Sequence, residues 1–377
     1  MTESTEQGRT STDPATPEHA ATSLTRIADA ESAVANAYEG GGDADEAVAD
    51  AQETSTEPAT TGTEVQQAGP EADGFGTPDG APTRYVDGAS SVFADWQRPE
   101  VTLDRAVVFA GGGVTGIAWE AGIVLGLRDA GIDIRNADTM IGTSAGSMVA
   151  AHLRLGTDDE AFDLVRQGAP MTEVGRLRPT DAGRYLRAQL SRDPRDGRAI
   201  VSRAALSATT ATEEEWLDTV GFGLVGREWP EGRLLITAVD AETGTSVVFD
   251  GSGGVPLERA VAASCAVPGV FPAVEIAGRH YVDGGLRSIA NVDLAAGHAR
   301  VLVLAPYPVG GQVYELPRVQ AWALRRHSKS QVVVPDAKDL WAMGANPLDT
   351  TRGSTVLDRA REHGRRIAPR IAGLWND

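Results

Sequence analysis

The chain has 377 residues and a formal net charge of −19 at pH 7, and this charge is unevenly distributed. Residues 1–100 hold 20 Asp and Glu against 4 Arg and no Lys, whereas residues 101–377 hold 33 acidic and 30 basic side chains. The nearly neutral remainder argues against a nucleic-acid-binding protein, which needs a clustered basic surface.

The acidic segment 1–100 is predicted to be disordered. It is rich in Ala, Thr, Glu, Asp, Gly and Pro and poor in large apolar residues, so it cannot bury enough apolar area to offset its ordering entropy. A short helix is predicted over Thr22–Tyr38, where the apolar residues loosely share one face. A solvating leader is favoured over a docking or regulatory tail.

Targeting signals are not evident in the sequence. No charged segment followed by an apolar run stands near Met1, and no apolar stretch approaches the roughly 20 residues of a membrane-spanning helix. The single cysteine, Cys265, excludes an intrachain disulfide and fits a reducing compartment. These features predict a cytoplasmic protein whose contact with membranes, if any, is peripheral.

Residues 101–377 are predicted to form one domain in which strands and helices alternate. A buried strand at Ala106–Ala110 leads through three glycines into a helix at Gly116–Ala130, and a strand at Thr139–Thr143 leads into a helix at Ala145–Leu155. This repetition is typical of an α/β fold with a mainly parallel sheet flanked by helices. Further strands are predicted at 234–239, 246–249 and 300–305, a hairpin turning at Gly278 within 273–282, and helices at 257–264, 318–327 and 355–371.

A Gly-x-Ser-x-Gly motif, Gly142 to Gly146, stands between the second strand and its helix. It is typical of a nucleophile on a sharp turn, where glycines two residues away on each side leave room for the backbone. The turn would present the Ser144 hydroxyl beside a helix N-terminus that favours a developing oxyanion. A plain glycine-rich connection is the alternative at this point.

The glycine-rich loop Gly111–Gly116 follows the first strand and also satisfies the dinucleotide-binding pattern G-x-G-x-x-G. That pattern requires an acidic residue about 20 positions on, at the end of the next strand. Asp133 and Asp138 lie in that range but precede the strand, and a P-loop is excluded because no Gly-Lys-Ser/Thr follows. The loop could instead supply N–H groups to an oxyanion hole. Taken alone, the loop does not distinguish this role from dinucleotide binding.

Asp283 follows a predicted strand and precedes Gly284 and Gly285. A carboxylate held there could accept the proton of a serine hydroxyl. The Asp-Gly turn of a hairpin is the competing interpretation, and it would be preferred without the serine motif.

Together these segments resemble the patatin-like phospholipase family in its bacterial form. The family pattern consists of a G-G-G-x-[KR]-G oxyanion loop, a G-x-S-x-G nucleophile about 30 residues later and a D-G-[GA] aspartate far downstream. The chain carries these in order at 111–116, 142–146 and 283–285, and its segment 263–272 resembles the family's stretch upstream of the aspartate. The resemblance covers approximately residues 104–306.

The resemblance implies a three-layer α/β domain with a Ser144–Asp283 dyad, no catalytic histidine, and no metal or organic cofactor. It implies hydrolysis of lipid or other acyl esters, as by a phospholipase A or lysophospholipase. The N–H groups of Gly111, Gly112 and Gly113 would form the oxyanion hole. The remaining motif glycines are Gly116, Gly142, Gly146, Gly284 and Gly285.

Thr115 departs from the family pattern, which has Lys or Arg at this position. Threonine offers a hydroxyl but no charge, so turnover rate and substrate class are the properties put in doubt. Two alternatives stay open, a lipid- or nucleotide-binding protein without turnover and an NAD(P)-binding enzyme. The histidines predicted to be structural or on the surface are His152, His280, His298, His327 and His363.

Two further segments are candidates for substrate contact. The basic stretch 357–375 is predicted to be an amphipathic helix packed on the domain, in preference to an interfacial helix, with interruptions at Gly364 and Pro369. The polar stretch Met171–Leu190 is assigned, from its position alone, as a lid over the acyl pocket. The sequence does not indicate an oligomeric state.

Overall fold

A computed structural model of the chain describes residues 84–86, 101–168, 191, 193–206, 211–221, 223–308 and 315–376. The helix predicted at Thr22–Tyr38 and the lid predicted at Met171–Leu190 lie outside the described residues, as does most of the acidic segment. Three residues of that segment, Arg84–Val86, form a short strand. The domain predicted to begin at residue 101 therefore includes one strand contributed by the preceding segment.

The described strands form one sheet. The strands are β1 (Arg84–Val86), β2 (Leu103–Phe109), β3 (Thr139–Thr143), β4 (Arg233–Asp240), β5 (Ser246–Phe249), β6 (Val274–Ile276), β7 (Arg279–Asp283), β8 (His298–Leu304) and β9 (Lys329–Val333). Their order in the sheet is β1-β5-β4-β3-β2-β8-β9, and β7 pairs antiparallel with both β4 and β6. Strands β4, β3, β2, β8 and β9 are mutually parallel, whereas β5 pairs antiparallel with β4, and β1 pairs antiparallel with β5 at the edge.

Helices cover both faces of the sheet. Along β2, Val107 and Phe109 belong to one buried cluster, and Ala106 and Val108 belong to another on the opposite face. The predicted three-layer α/β fold with a mainly parallel sheet is confirmed. The helices are α1 (Gly113–Asp129), α2 (Ala145–Leu155), α3 (Asp158–Gln167), α4 (Pro194–Leu206), α5 (Glu213–Val220), α6 (Leu257–Ser264), α7 (Pro317–Leu324), α8 (Ala337–Met343) and α9 (Gly353–Trp375), with 3-10 turns at Ile134–Asn136, Gly284–Leu286, Val292–Ala295 and Thr350–Arg352.

The C-terminal helix α9 packs along α1, which confirms the prediction of a packed amphipathic helix. The expected interruptions are wrong, because α9 runs through both Gly364 and Pro369. At Gly364 the two helices touch, and a Cβ there would lie 2.6 Å from the Ile123 carbonyl oxygen. Beyond Pro369, buried side chains such as Ile371 hold the last turns in place and offset the lost hydrogen bond. None of the described helices is both long and apolar enough to cross a bilayer.

Candidate active site

The predicted nucleophile lies on a strained turn between β3 and α2. Ser144 has φ 52° and ψ −126°, a backbone conformation that is costly for any residue with a Cβ. Glycine is required on both sides because the turn is tightly packed: a Cβ at Gly142 would lie 2.5 Å from the Ser147 Cα, and one at Gly146 would lie 2.3 Å from the Phe109 carbonyl oxygen. The motif therefore has a steric cause, and it leaves Ser144 8% exposed at the carboxyl edge of the sheet.

Two hydroxyl groups hold the strained turn. The Ser144 N–H donates to the Ser264 hydroxyl at 2.9 Å, and the Ser147 hydroxyl donates to the Ser144 carbonyl oxygen at 2.6 Å. Ser264 is fully buried at the end of α6. It belongs to the segment 263–272, which resembles the family's stretch upstream of the aspartate. The same segment holds the aspartate, because the Asp283 N–H donates to the Ala266 carbonyl oxygen at 3.0 Å.

Asp283 ends β7, and the sheet register brings it beside the nucleophile. It pairs with Ala238 on β4, and the preceding residue Thr237 pairs with Thr143 on β3, immediately before Ser144. The carboxylate accepts the Gly285 N–H at 2.7 Å. Burial raises the pKa of Asp283 to about 6, although hydrogen bonds from the Ser144 side chain and the Gly285 N–H oppose the rise. Asp283 is therefore mostly ionised at neutral pH, within hydrogen-bond reach of Ser144.

The glycine-rich loop lies across from this pair, and its three predicted donors differ in what they bind. The Gly111 N–H donates to the Ile289 carbonyl oxygen at 2.7 Å, so this amide already has a structural partner. The N–H groups of Gly112 and Gly113 find no acceptor among the described residues. Gly112 caps α1, so these two amides point out of a helix N-terminus, where negative charge is stabilised.

Thr115, which replaces the family's cation, is fully buried and faces away from solvent. Its N–H donates to the Pro347 carbonyl oxygen at 3.0 Å, and its hydroxyl lies 3.0 Å from the Tyr307 hydroxyl. Pro347 also closes on the loop, since a Cβ at Gly113 would lie 2.8 Å from the same carbonyl oxygen. Thr115 therefore anchors the 344–349 loop beside the glycine loop and contributes no charge to it.

Asn291 binds the residue before Ser144, and the sequence offered no prediction for it. It is 1% exposed and adopts a left-handed backbone with φ 51°. Its amide donates to the Thr143 hydroxyl at 3.0 Å and to the Ser288 carbonyl oxygen at 2.8 Å, and its oxygen accepts from Arg287 at 2.7 Å. The Thr237 hydroxyl, 2.9 Å from that of Thr143, completes the network. Asn291 thus sets the position of the residue before Ser144.

We expect Asn291→Gly to lower kcat for ester hydrolysis by about tenfold to a hundredfold with little change in KM, because small displacements of reacting groups are costly. Glycine tolerates the φ of 51°, so the variant removes the amide without adding backbone strain. Steady-state kinetics on a soluble ester measures the effect. A folded variant with unchanged kcat would show that the network does not position the dyad.

His152, His280, His298 and His363 have partners elsewhere, and no described histidine is hydrogen-bonded to Ser144 or Asp283. Burial lowers the pKa of His152 to about 4, which keeps this imidazole neutral in the core. The partners are Thr157 for His152, Glu242 for His280, Thr139 and the Ala295 carbonyl oxygen for His298, and Asp339 for His363, which also meets the Trp119 ring edge-on.

One group of potential metal ligands occurs in the part of the chain that the structure describes. Ligand atoms of Asp336, Asp339 and His363 lie within 4.8 Å of one another. Arg359 and Arg366 bind the Asp336 carboxylate, and His363 binds Asp339. These charges are satisfied by protein partners, so the group ties α8 to α9 and is separate from the dyad.

The chain is similar to known proteins over the part that holds these residues. The family profile described as patatin-like phospholipase matches residues 107–296, which include the glycine loop, Ser144 and Asp283. No curated protein sequence matches the chain significantly.

The chain is also similar to two solved structures. The type III effector protein ExoU is 17% identical with a TM-score of 0.27, over 71% of this chain and 54% of its own. VipD from Legionella pneumophila is 13% identical with a TM-score of 0.31, over 70% and 67%. The chain thus spans about half of the matched ExoU structure.

Proposed function

The chain belongs to the patatin-like phospholipase family, and from this premise we propose that it hydrolyses carboxylic esters of lipids with Ser144 as nucleophile and Asp283 as general base. One observation carries the proposal: a serine on a strained strand-to-helix turn lies beside a buried carboxylate whose pKa burial raises to about 6. A base with this pKa is ionised at neutral pH, yet it is basic enough to accept a proton.

The reaction proceeds through an acyl-enzyme. As the Ser144 hydroxyl oxygen attacks the ester carbonyl carbon, its proton passes to Asp283. The N–H groups of Gly112, Gly113 and Ala145 hold the oxyanion at two helix N-termini. The intermediate then breaks its bond to the alcohol, which takes the proton from Asp283. Water, deprotonated by Asp283, attacks the acyl carbonyl, and Ser144 regains a proton as the fatty acid leaves.

The positions of Asp133 and Asp138, the two acidic residues in the range that a dinucleotide site requires, disfavour an NAD(P)-binding function. Asp133 caps the turn Ile134–Asn136 and pairs with Arg135. The Asp138 carboxylate accepts the N–H groups of Asp104 and Arg105 at 2.8 Å each, at the amino end of the sheet. Neither lies at the carboxyl edge, where a ribose would bind.

A fluorophosphonate probe tests the proposal, because it reacts only with an activated serine. We expect a single label on Ser144, and none in Ser144→Ala. The labelling rate should be constant above about pH 7 and fall below about pH 6 as Asp283 becomes protonated and ceases to be a base. Ser354→Ala, at an exposed serine on α9, is the matched control and should be labelled at the wild-type rate.

Absence of label in the folded protein would indicate a binding module without turnover. A labelling rate that does not change between pH 5 and pH 8, in the range around the pKa of about 6, would exclude Asp283 as the base and leave only the nucleophile assigned.

A further inference from the structure

An exposed apolar patch lies on α8 and the loop that follows it. It consists of Leu340, Trp341, Ala345 and Pro347, and Trp341 is 80% exposed. Soluble proteins seldom leave a tryptophan this accessible unless it contacts something. Among the described residues, the exposed large apolar side chains are Val101, Leu206, Val225, Leu340 and Trp341. Only two of these are neighbours in sequence, and both belong to the patch.

The patch stands at the catalytic edge of the sheet. Helix α8 begins shortly after the carboxyl end of β9. Because β9 and β3 run parallel in the sheet, this end lies at the same edge as Ser144, which follows β3. From α8 the chain returns to the glycine loop, where the Pro347 carbonyl oxygen accepts the Thr115 N–H at 3.0 Å. The last residue of the patch, Pro347, therefore lies beside the proposed oxyanion hole.

The charges of this segment suit an anionic partner. Within residues 337–347, all of which the structure describes, Lys338 is the exposed charged side chain and Asp339 is buried. The neighbouring Asp336 carboxylate is bound by Arg359 and Arg366. The patch thus presents apolar side chains and one cation without an unpaired carboxylate beside them.

We infer that this patch docks the protein on a lipid surface, with Trp341 and Leu340 in the interfacial layer and Lys338 at anionic head groups. Tryptophan favours this layer because its ring is apolar and its N–H is polar, and lysine is attracted by anionic lipids. Docking would turn the catalytic edge of the sheet towards the bilayer. The inference rests on the proposed function for its biological role, but binding to the lipid surface does not require ester hydrolysis.

The test is vesicle binding by the full chain in a Ser144→Ala background, which removes hydrolysis. The vesicles contain phosphatidylcholine, with or without phosphatidylglycerol, and bound protein is measured by co-sedimentation. We expect Leu340→Ser with Trp341→Ser to weaken binding by about tenfold or more on both vesicles. Lys338→Glu should weaken it about fivefold or more on the anionic vesicles only. Val225→Ser, which removes an apolar side chain that is 67% exposed elsewhere, is the matched control and should bind normally.

With Ser144 retained, the double variant should hydrolyse a short soluble ester at the parent rate, which also shows that it folds. The inference is overturned if the parent does not bind vesicles, if the double variant binds as well as Val225→Ser, or if the substitutions only convert a dimer to a monomer. Vesicle binding without probe labelling of Ser144 would instead reject the hydrolase proposal and keep the docking surface.

Discussion

Replacing Asp283 by asparagine is expected to lower kcat for ester hydrolysis by about 10³-fold while the fold is retained, because no other base contacts Ser144 among the described residues. Asparagine has nearly the same shape, and its oxygen can still accept the Gly285 N–H. It cannot take the Ser144 proton. Steady-state kinetics on a soluble ester and the rate of fluorophosphonate labelling should fall together.

The same substitution should raise the free energy of unfolding at neutral pH. The pKa of Asp283 is about 6 in the folded chain and about 3.9 when exposed, so the unfolded chain loses this proton first. The wild type therefore loses stability as the pH rises from about 4 to about 6, by an amount on the order of 2–3 kcal/mol. Asparagine does not titrate, so urea unfolding should show the gain in full above about pH 6.5 and little of it near pH 4.

Asp133→Asn is a matched control of opposite sign. A hydrogen bond from the Arg135 side chain, opposed by partial burial, lowers the pKa of Asp133, so this carboxylate favours the folded state when ionised. Its replacement should reduce stability at pH 7 and leave kcat unchanged, since it lies at the opposite edge of the sheet. An Asp283→Asn variant that is less stable than the wild type at pH 7 would contradict the burial argument.

The parts of the site that the sequence predicted are those whose chemistry is local. A Gly-x-Ser-x-Gly turn between a strand and a helix needs its glycines for steric reasons, which hold in any surrounding structure. The central strands were recognised because they are apolar on both faces, as in any parallel sheet covered by helices. The predicted boundaries of the elements differ from the observed ones by a few residues. Helix α1 begins at Gly113 and not at Gly116, because Gly112 acts as its cap.

The missed features depend on contacts between distant segments. Ser264 lies 120 residues from Ser144, and the Asn291 amide reaches Thr143 across 148 residues. Neither residue type indicates such a role by itself. Strand β9 was missed because its first residues, Lys329 and Ser330, are polar and only its last two residues are buried. The sequence predicts a helix break at Gly364, since only the packed partner helix shows why a glycine is needed there.

Replacing Ser144 by glycine should abolish hydrolysis and at the same time stabilise the fold relative to Ser144→Ala. Both variants lack the nucleophile, so kcat for a soluble ester should fall by about 10⁴-fold or more in each. Alanine keeps the Cβ and with it the strain at φ 52°, whereas glycine adopts this backbone freely. Glycine also raises the entropy of the unfolded chain, which offsets part of the gain. The net result should be that Ser144→Gly is more stable than Ser144→Ala by about 1 kcal/mol.

Ala277 provides the control, because it has the same φ of 52° in the hairpin between β6 and β7. Ala277→Gly should raise the free energy of unfolding by a similar amount and leave kcat unchanged, as measured by urea unfolding and ester kinetics. Both positions have a positive φ, but only Ser144 is a proposed catalytic residue. If Ser144→Gly is no more stable than Ser144→Ala while Ala277→Gly shows the gain, the hydrogen bonds from Ser147 and to Ser264 already relieve the strain at the nucleophile.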